Sequence, residues 1–332
     1  MAIFGHRRHA GGAADRSAKA PLQNGPVPEE TNEAGTLDTD GVPRGQAVVD
    51  ALVELLNLER IEDNLYRGVS PELSPVRVFG GQVAAQAVVA ATRSVEDRFA
   101  LHSLHSYFLR PGDTTVPIVY DVERIRDGRS FVTRRVSARQ HGRPIYYLTA
   151  NFQVPEPGLE HQDAMPEVVA PEHGMPMVEL ARERGPEFAE HWQREWAALD
   201  IRHVGITGRG IDEDPEHAAR ARLWLKVDGT IADDPSLQTA AFTYASDLTL
   251  LGAALVPHGI HIASPRLQPA SLDHTIWFHR PFRADDWWLY DQFSPFAGGG
   301  RGLALARVFT QAGELVATVA QEGLIRVRES RD

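Results

Sequence analysis

The side chain most in need of a chemical account is Asp247, in the run YASDLTLLGAALVPHG over residues 244–259. It is one carboxylate near the start of a helix-length apolar stretch, and a charge so placed must be paired, hydrated or used. Near a helix N-terminus the free N–H groups favour an anion, and a carboxylate there can accept a proton from water. Being a weak base, it would depend on close positioning of that water. Gly80 and Gly81, which precede Gln82 in VFGGQVAAQA, would allow close backbone approach and could offer N–H groups to a developing oxyanion. Ser271, Asp273, His274 and His279 lie together in SLDHTIWFHRP and invite a Ser-His-Asp reading, but no G-x-S-x-G elbow accompanies them. Taken alone, Ser271 reads as a strand hydroxyl and Gln321 as a cross-strand hydrogen-bonding residue. His102 and His105 have no partner at metal-ligand spacing.

Those residues need a scaffold. Leu248, Leu250, Leu251, Ala254 and Leu255 go most of the way round a helical wheel, which predicts a buried helix over 244–257 with Ser246 as N-cap and Pro257 and Gly259 as the stop. Upstream, AVVDALVELL has helical spacing and LERIEDNLYRG alternates as a strand. VFGGQVAAQAVVAATRSV predicts a second apolar helix, and four strand-like runs punctuated by Pro-Gly, Asp-Gly and His-Gly turns follow it up to residue 154. Residues 155–200 change character, into a Pro-rich acidic stretch and a polar helical segment broken near Gly185-Pro186, read as a surface connector.

The first pattern then returns. SLHSYFLRP and HTIWFHRP share their ending, GRSFVTRRV matches GRGLALARV, and HGRPIYYLTA matches AGELVATVAQ, all at an offset of about 170 residues. A duplicated helix-plus-meander unit most economically forms one body with its two sheets joined edge to edge. In the first copy Gln82 is read at the place of Asp247, so the two copies look specialised and one active site per chain is expected.

Composition narrows the function classes. Among 332 residues, Lys+Arg 34 against Asp+Glu 45 gives a formal charge of -11, which argues against nucleic-acid binding over the whole surface. Zero Cys excludes disulfides, thiolate metal sites and a cysteine nucleophile. No run of 18 or more apolar residues is present, so no membrane span is expected. Residues 1–45 lack apolar period and read as a disordered extension without an export signal.

VFGGQVAAQA, LHSYFLRPGD, YDVERIRDGRSF, YASDLTLL, LDHTIWFHRPF and VAQEG, in this order and spacing, resemble the acyl-CoA thioesterase II family from about residue 47 to 328. The resemblance implies an α+β double hotdog fold, two tandem units each with a central helix wrapped by a curved antiparallel sheet. Its boundaries would be a first repeat over 46–155, the connector over 156–205 and a second repeat over 206–330. It also implies hydrolysis of fatty acyl-CoA by a water held by Asp247, Gln321 and a threonine position occupied here by Ser271. Serine keeps the hydroxyl and loses the methyl that stiffens χ1.

No metal or cofactor is implied; acyl-CoA is the expected partner, and a cytoplasmic homo-oligomer the expected state. Arg110, Arg129, Arg280 and Arg301 are candidates for the CoA phosphates, and Trp277, Trp287, Trp288 and Phe296 for an acyl channel. The competing readings are a hotdog enoyl-CoA hydratase and a non-catalytic acyl-CoA binding protein.

Overall fold

The structure, a computed structural model, describes residues 45–70, 77–213 and 219–328. The extension read from the sequence lies, up to residue 44, outside the described residues.

The first repeat contains α1 (Gln46–Leu56), β1 (Glu59–Glu62), β2 (Leu65–Gly68), α2 (Gly80–Thr92), β3 (Ala100–Phe108), β4 (Ile118–Asp127), β5 (Phe131–Gln140) and β6 (Arg143–Gln153). Val49, Leu52 and Leu56 give α1 one buried stripe. In α2 every residue from Gly81 to Ala91 is buried, and its Ala and Val side chains are small enough for the sheet to wrap closely round it. The sheet supplies the complementary alternation: on β5, Val132, Arg134, Val136, Ala138 and Gln140 face inward. Arg134 is tolerated there because Ser94 Oγ, at 2.8 Å, and the Arg126 carbonyl, at 3.1 Å, accept from its guanidinium.

The connector holds β7 (Met175–Pro176), α3 (Met177–Arg182) and α4 (Pro186–Glu195), with Gly185 at φ 116° and Pro186 separating the two helices as their order in the sequence predicts. The second repeat follows as β8 (Leu199–Thr207), β9 (Gly210–Ile211), β10 (Arg220–Val227), α5 (Pro235–Ser246), a 3-10 helix (Leu250–His258), β11 (Leu267–Ser271), β12 (Asp273–Phe278), β13 (Trp288–Gly298), β14 (Arg301–Thr310) and β15 (Leu315–Val327). β8 begins upstream of residue 206, in the range read as connector, and pairs with β10.

One sheet runs in the order β1-β2-β4-β5-β6-β3-β12-β15-β14-β13-β10-β8-β7. The order inward from β2 to β3 repeats inward from β10 to β12, so the two units mirror each other across the β3–β12 seam. There the strands are antiparallel, with Leu104 opposite Ile276 and His105 opposite Thr275. Two α+β units sharing one curved sheet around paired central helices form a double hotdog fold. The apolar run Pro235–His258 is long enough to cross a membrane, but it is mostly buried as the core of the second unit.

The second central helix differs from its expected position. It starts at Asp234, whose carboxylate accepts from Ser236 N at 2.8 Å, with Pro235 in the first turn, and it ends at Ser246. Asp247 is therefore the C-cap of α5, and Ser246 is its last residue rather than an N-cap. The physical reason is that PSLQTAAFTYAS hides a buried helix behind polar residues that bond internally: Thr243 donates to the Thr239 carbonyl at 2.8 Å and Gln238 to that of Ala232. The more apolar LLGAALVPH forms the tighter 3-10 turns, ended by Pro257 and by Gly259 at φ 58°.

Candidate active site

Asp247 is 8% exposed and is held from two strands of the second repeat. Ser271 Oγ, at the end of β11, donates to its Oδ1 at 3.0 Å. Gln321 Nε2, on β15 and fully buried, donates to the same oxygen. Ser271 is brought in by a break at Leu272, since β11 and β12 both pair with β15 but in registers one residue apart. The break is fixed by Leu272 N donating to the Glu322 carbonyl, Phe108 N donating to the Leu272 carbonyl, both at 2.9 Å, and Glu322 N donating to Asp273 at 2.7 Å.

With Oδ1 occupied twice, Oδ2 points at the first repeat. A Cβ built on Gly80, the first residue of α2, would lie 2.6 Å from Asp247 Oδ2 and 2.9 Å from the Phe108 ring, and one on Gly81 would overlap the Tyr244 carbonyl. Only glycine permits this approach. The helices thus place the C-terminus of α5 beside the N-terminus of α2. The helix start that faces the carboxylate belongs to the other repeat, whereas the sequence assigned that role to the helix following Asp247. The first hydrogen bond of α2 runs from Val83 N to the Phe79 carbonyl, which leaves the N–H groups of Gly80, Gly81 and Gln82 outside the helical ladder.

A cavity of about 530 Å³ opens over this cluster, with Phe79, Gly80, Phe108, Tyr146, Asp247 and Ser271 among its walls. Tyr146 was not visible in the sequence as a site residue. It is 1% exposed, and its hydroxyl has no hydrogen-bond partner of good geometry, with Ser106 the polar group beside it. Burial pushes the Tyr146 hydroxyl far above the ordinary tyrosine range, opposed by Ser106 and reinforced by the charge of Asp247, so it stays protonated. The connector, which reads as a surface segment in sequence, reaches the site: His191 and Glu195 of α4 line the cavity, and Trp196 packs edge-on against Phe79 with ring centroids 4.8 Å apart. Its only sequence signal was the pair of tryptophans in HWQREWAAL, too many for a solvated face.

The remaining candidates separate. Gly80 and Arg110 line the cavity, Arg110 donating to the Pro144 carbonyl. Gln82 turns away to the Val69 carbonyl at 3.0 Å, and it is not the counterpart of Asp247. By position on the helix that counterpart is Arg93, the C-cap of α2, which donates to Asn57 at 2.8 Å. Arg280 instead anchors the connector through Gln162 at 2.9 Å, and Arg301 pairs with Glu322 at 2.9 Å, so neither lines the cavity. Arg129 does not line it either, nor do the four aromatic candidates: Trp288 packs edge-on against Phe242 in the core, Trp287 lies under Lys226, and Trp277 and Phe296 are exposed.

No Ser-His-Asp relay forms. Asp273 is committed to Glu322 N, and His279 contacts Thr318 Oγ1 at 2.8 Å. His274 is completely buried with Nε2 2.9 Å from Ser246 Oγ. Ser246 spends its own proton on the Thr243 carbonyl, so His274 Nε2 carries the hydrogen. Burial lowers the His274 pKa against the opposing pull of Asp247, which keeps the ring neutral. It braces the residue preceding the carboxylate. Among the described residues no group of three His, Asp or Glu could hold a metal ion.

Known proteins share this arrangement of sequence. A family model for the acyl-CoA thioesterase N-terminal domain matches residues 70–153, and one for acyl-CoA thioesterase matches residues 214–324. Acyl-CoA thioesterase 2 of Haemophilus influenzae is 40% identical over 287 residues, 85% of this chain and 99% of that protein. Human acyl-coenzyme A thioesterase 8 is 38% identical over 301 residues, 87% of this chain and 92% of that one. The crystal structure of acyl-CoA thioesterase II TesB2 from Mycobacterium marinum superposes with a TM-score of 0.71 at 45% identity, covering 85% of this chain and 99% of that chain. Both repeats match and the similarity spans the described body, so the chain belongs to the acyl-CoA thioesterase family.

Proposed function

We propose that this protein hydrolyses fatty acyl-CoA to a free fatty acid and CoA by direct attack of a water molecule held by Asp247, Ser271 and Gln321. The observation that carries the reading is the division of labour at one carboxylate. Ser271 and Gln321 both donate to Oδ1, and Oδ2 is left facing the cavity beside Gly80. An acceptor oxygen held in this way can take a proton from water, and fixing its direction compensates for the weak basicity of a carboxylate. Gln321, fully buried, acts on that water through the carboxylate it orients, while Ser271 lines the cavity itself and its hydroxyl oxygen keeps lone pairs for the water.

As the water oxygen bonds to the thioester carbon, its proton passes to Asp247 and negative charge develops on the carbonyl oxygen. The N–H groups at the start of α2 are suitably polarised donors for that charge. Collapse of the tetrahedral intermediate breaks the C–S bond. The departing thiolate, with a pKa of about 8.5, leaves without an obligatory acid partner and then takes the proton from Asp247. The first repeat thus contributes the oxyanion donors and the second contributes the base. This division accounts for a carboxylate in one unit and an arginine at the matching helix end of the other.

The test uses purified full-length protein with saturated and enoyl acyl-CoA thioesters and a thiol-reactive dye. Free thiol should appear stoichiometrically with free acid. Hydration of the enoyl substrate without thiol release, or binding without turnover, would replace this reading by the hydratase or the binding protein.

A further inference from the structure

A second cavity, of about 430 Å³, lies behind the first, between the 3-10 helix, the β8–β10 region and the connector helices α3 and α4. Leu248, Gly252 and Ile262 form walls of both cavities, so the two adjoin at these residues. Gly252 marks the junction physically. A Cβ built there meets nothing within 4 Å, so the backbone of the 3-10 helix borders open space.

We infer that this second cavity receives the distal part of a long unbranched acyl chain, and that α3 and α4 set the chain length the enzyme accepts. The inference rests on the thioesterase reading and adds where the hydrocarbon goes. Continuity is the first support: a chain whose carbonyl sits over Asp247 can pass Leu248 and Gly252 into the second space. The walls are the second. Met177, Leu180 and Phe188 from the connector face Leu223, Leu255 and Val256 from the second repeat.

Most of the polar groups of this cavity are already engaged, and burial keeps His203 below its ordinary pKa. Arg184 hydrogen-bonds to His261 and lies over the Phe188 ring at 5.4 Å, Arg209 pairs with Glu183 at 3.3 Å, and Gln292 donates to Thr249 at 2.7 Å. Methylene groups are what such an interior rewards, by roughly fourfold in binding for each one buried. If a methylene is taken as similar in size to a water, with its share of about 30 Å³, the space admits on the order of ten. The CoA end then points the opposite way, toward Arg77 and Arg110 in the wall of the first cavity.

Substitution at Gly252 tests this, because a new side chain there enters open space. Acyl-CoA substrates from butanoyl to stearoyl are assayed with wild-type protein, Gly252→Ala and Gly252→Leu, each checked by thermal melting. Wild-type kcat/KM should rise with chain length. Gly252→Leu should lower the ratio of palmitoyl to butanoyl kcat/KM by at least about 100-fold, with Gly252→Ala intermediate.

Leu180→Trp, which fills the far side from the connector, should move the optimum to shorter chains even if Gly252→Leu misfolds. An equal loss at every chain length, together with weaker inhibition by free CoA, would give the second cavity to the CoA arm and overturn the inference. An unchanged profile in both variants would overturn it too. If wild-type protein hydrolyses no member of the series, the thioesterase reading itself fails, and that result is distinct from either.

Discussion

Substituting Gly80 by alanine adds a single methyl group at the contact between the two repeats. The new Cβ would sit 2.6 Å from Asp247 Oδ2 and 2.9 Å from a carbon of the Phe108 ring. Carbon atoms pack at about 3.5–4.0 Å, so the N-terminus of α2, the Phe108 ring or the carboxylate must yield by something under about 1 Å. Phe108 is constrained by Tyr146, their ring centroids 5.0 Å apart, and Asp247 by its two hydrogen bonds at Oδ1. Overpacking of this kind costs about 1–3 kcal/mol of stability, which lowers the melting temperature by several degrees in a protein of this size. Misplacing reacting groups by an ångström costs about 100-fold in rate. The expected result for Gly80→Ala is therefore a kcat reduced by roughly 10- to 100-fold, out of proportion to a modest melting shift. Gly158→Ala is the control, since a Cβ there meets nothing within 4 Å. A kcat within about threefold of wild type, with the melting shift present, would refute the claim that this contact positions the carboxylate for catalysis.

Removing the Ser271 hydroxyl should be worth one hydrogen bond to a charged acceptor, so Ser271→Ala loses about 10- to 100-fold in kcat, and Ser271→Thr, which restores the hydroxyl on a stiffer side chain, stays within a few-fold of wild type in the same thiol-release assay. Stability should rise with pH through the histidine range. Burial lowers His102, His203, His261, His274 and His279, with His261 brought down to about 4 by burial and by Arg184. Between such a folded value and the unfolded value of about 6.5, the unfolded chain binds more protons, so stability is complete above that range and is lost as pH falls through it. Melting temperatures at pH 7.5 and pH 5 check this; a flat or reversed dependence would contradict it.

Much of the architecture is legible in the sequence. The shared aromatic-Arg-Pro endings mark β3 and β12, the two strands that meet at the seam. The helix of the second repeat was misplaced because periodicity follows the most apolar residues. Here those form the 3-10 segment, and the buried α5 carries Gln, Thr and Ser whose side chains donate to backbone carbonyls. The same error reversed the polarity around Asp247. A helix N-terminus does face it, but only packing two distant segments side by side reveals that the helix is α2.

Position along the chain also misled at Gln82, which occupies the wrong end of α2 to correspond to Asp247. The convergence of Ser271 and Gln321 on one oxygen depends on a one-residue register change at Leu272, for which the sequence carries no signal. Tyr146 and the second cavity were invisible for a related reason. An aromatic residue on a strand and an amphipathic connector have ordinary structural readings, and their relation to the site exists only in three dimensions.

The central claim is that the Asp247 carboxylate, held by Ser271 and Gln321 beneath the start of α2, takes the proton of the attacking water. Its most direct test is the kcat of Asp247→Asn on an acyl-CoA substrate, with thermal melting measured on the same preparation. The amide preserves shape and cannot accept that proton, so kcat should fall by about 10²–10⁴-fold while the protein still melts cooperatively. A folded Asp247→Asn protein that retains more than about a tenth of wild-type kcat would contradict the account.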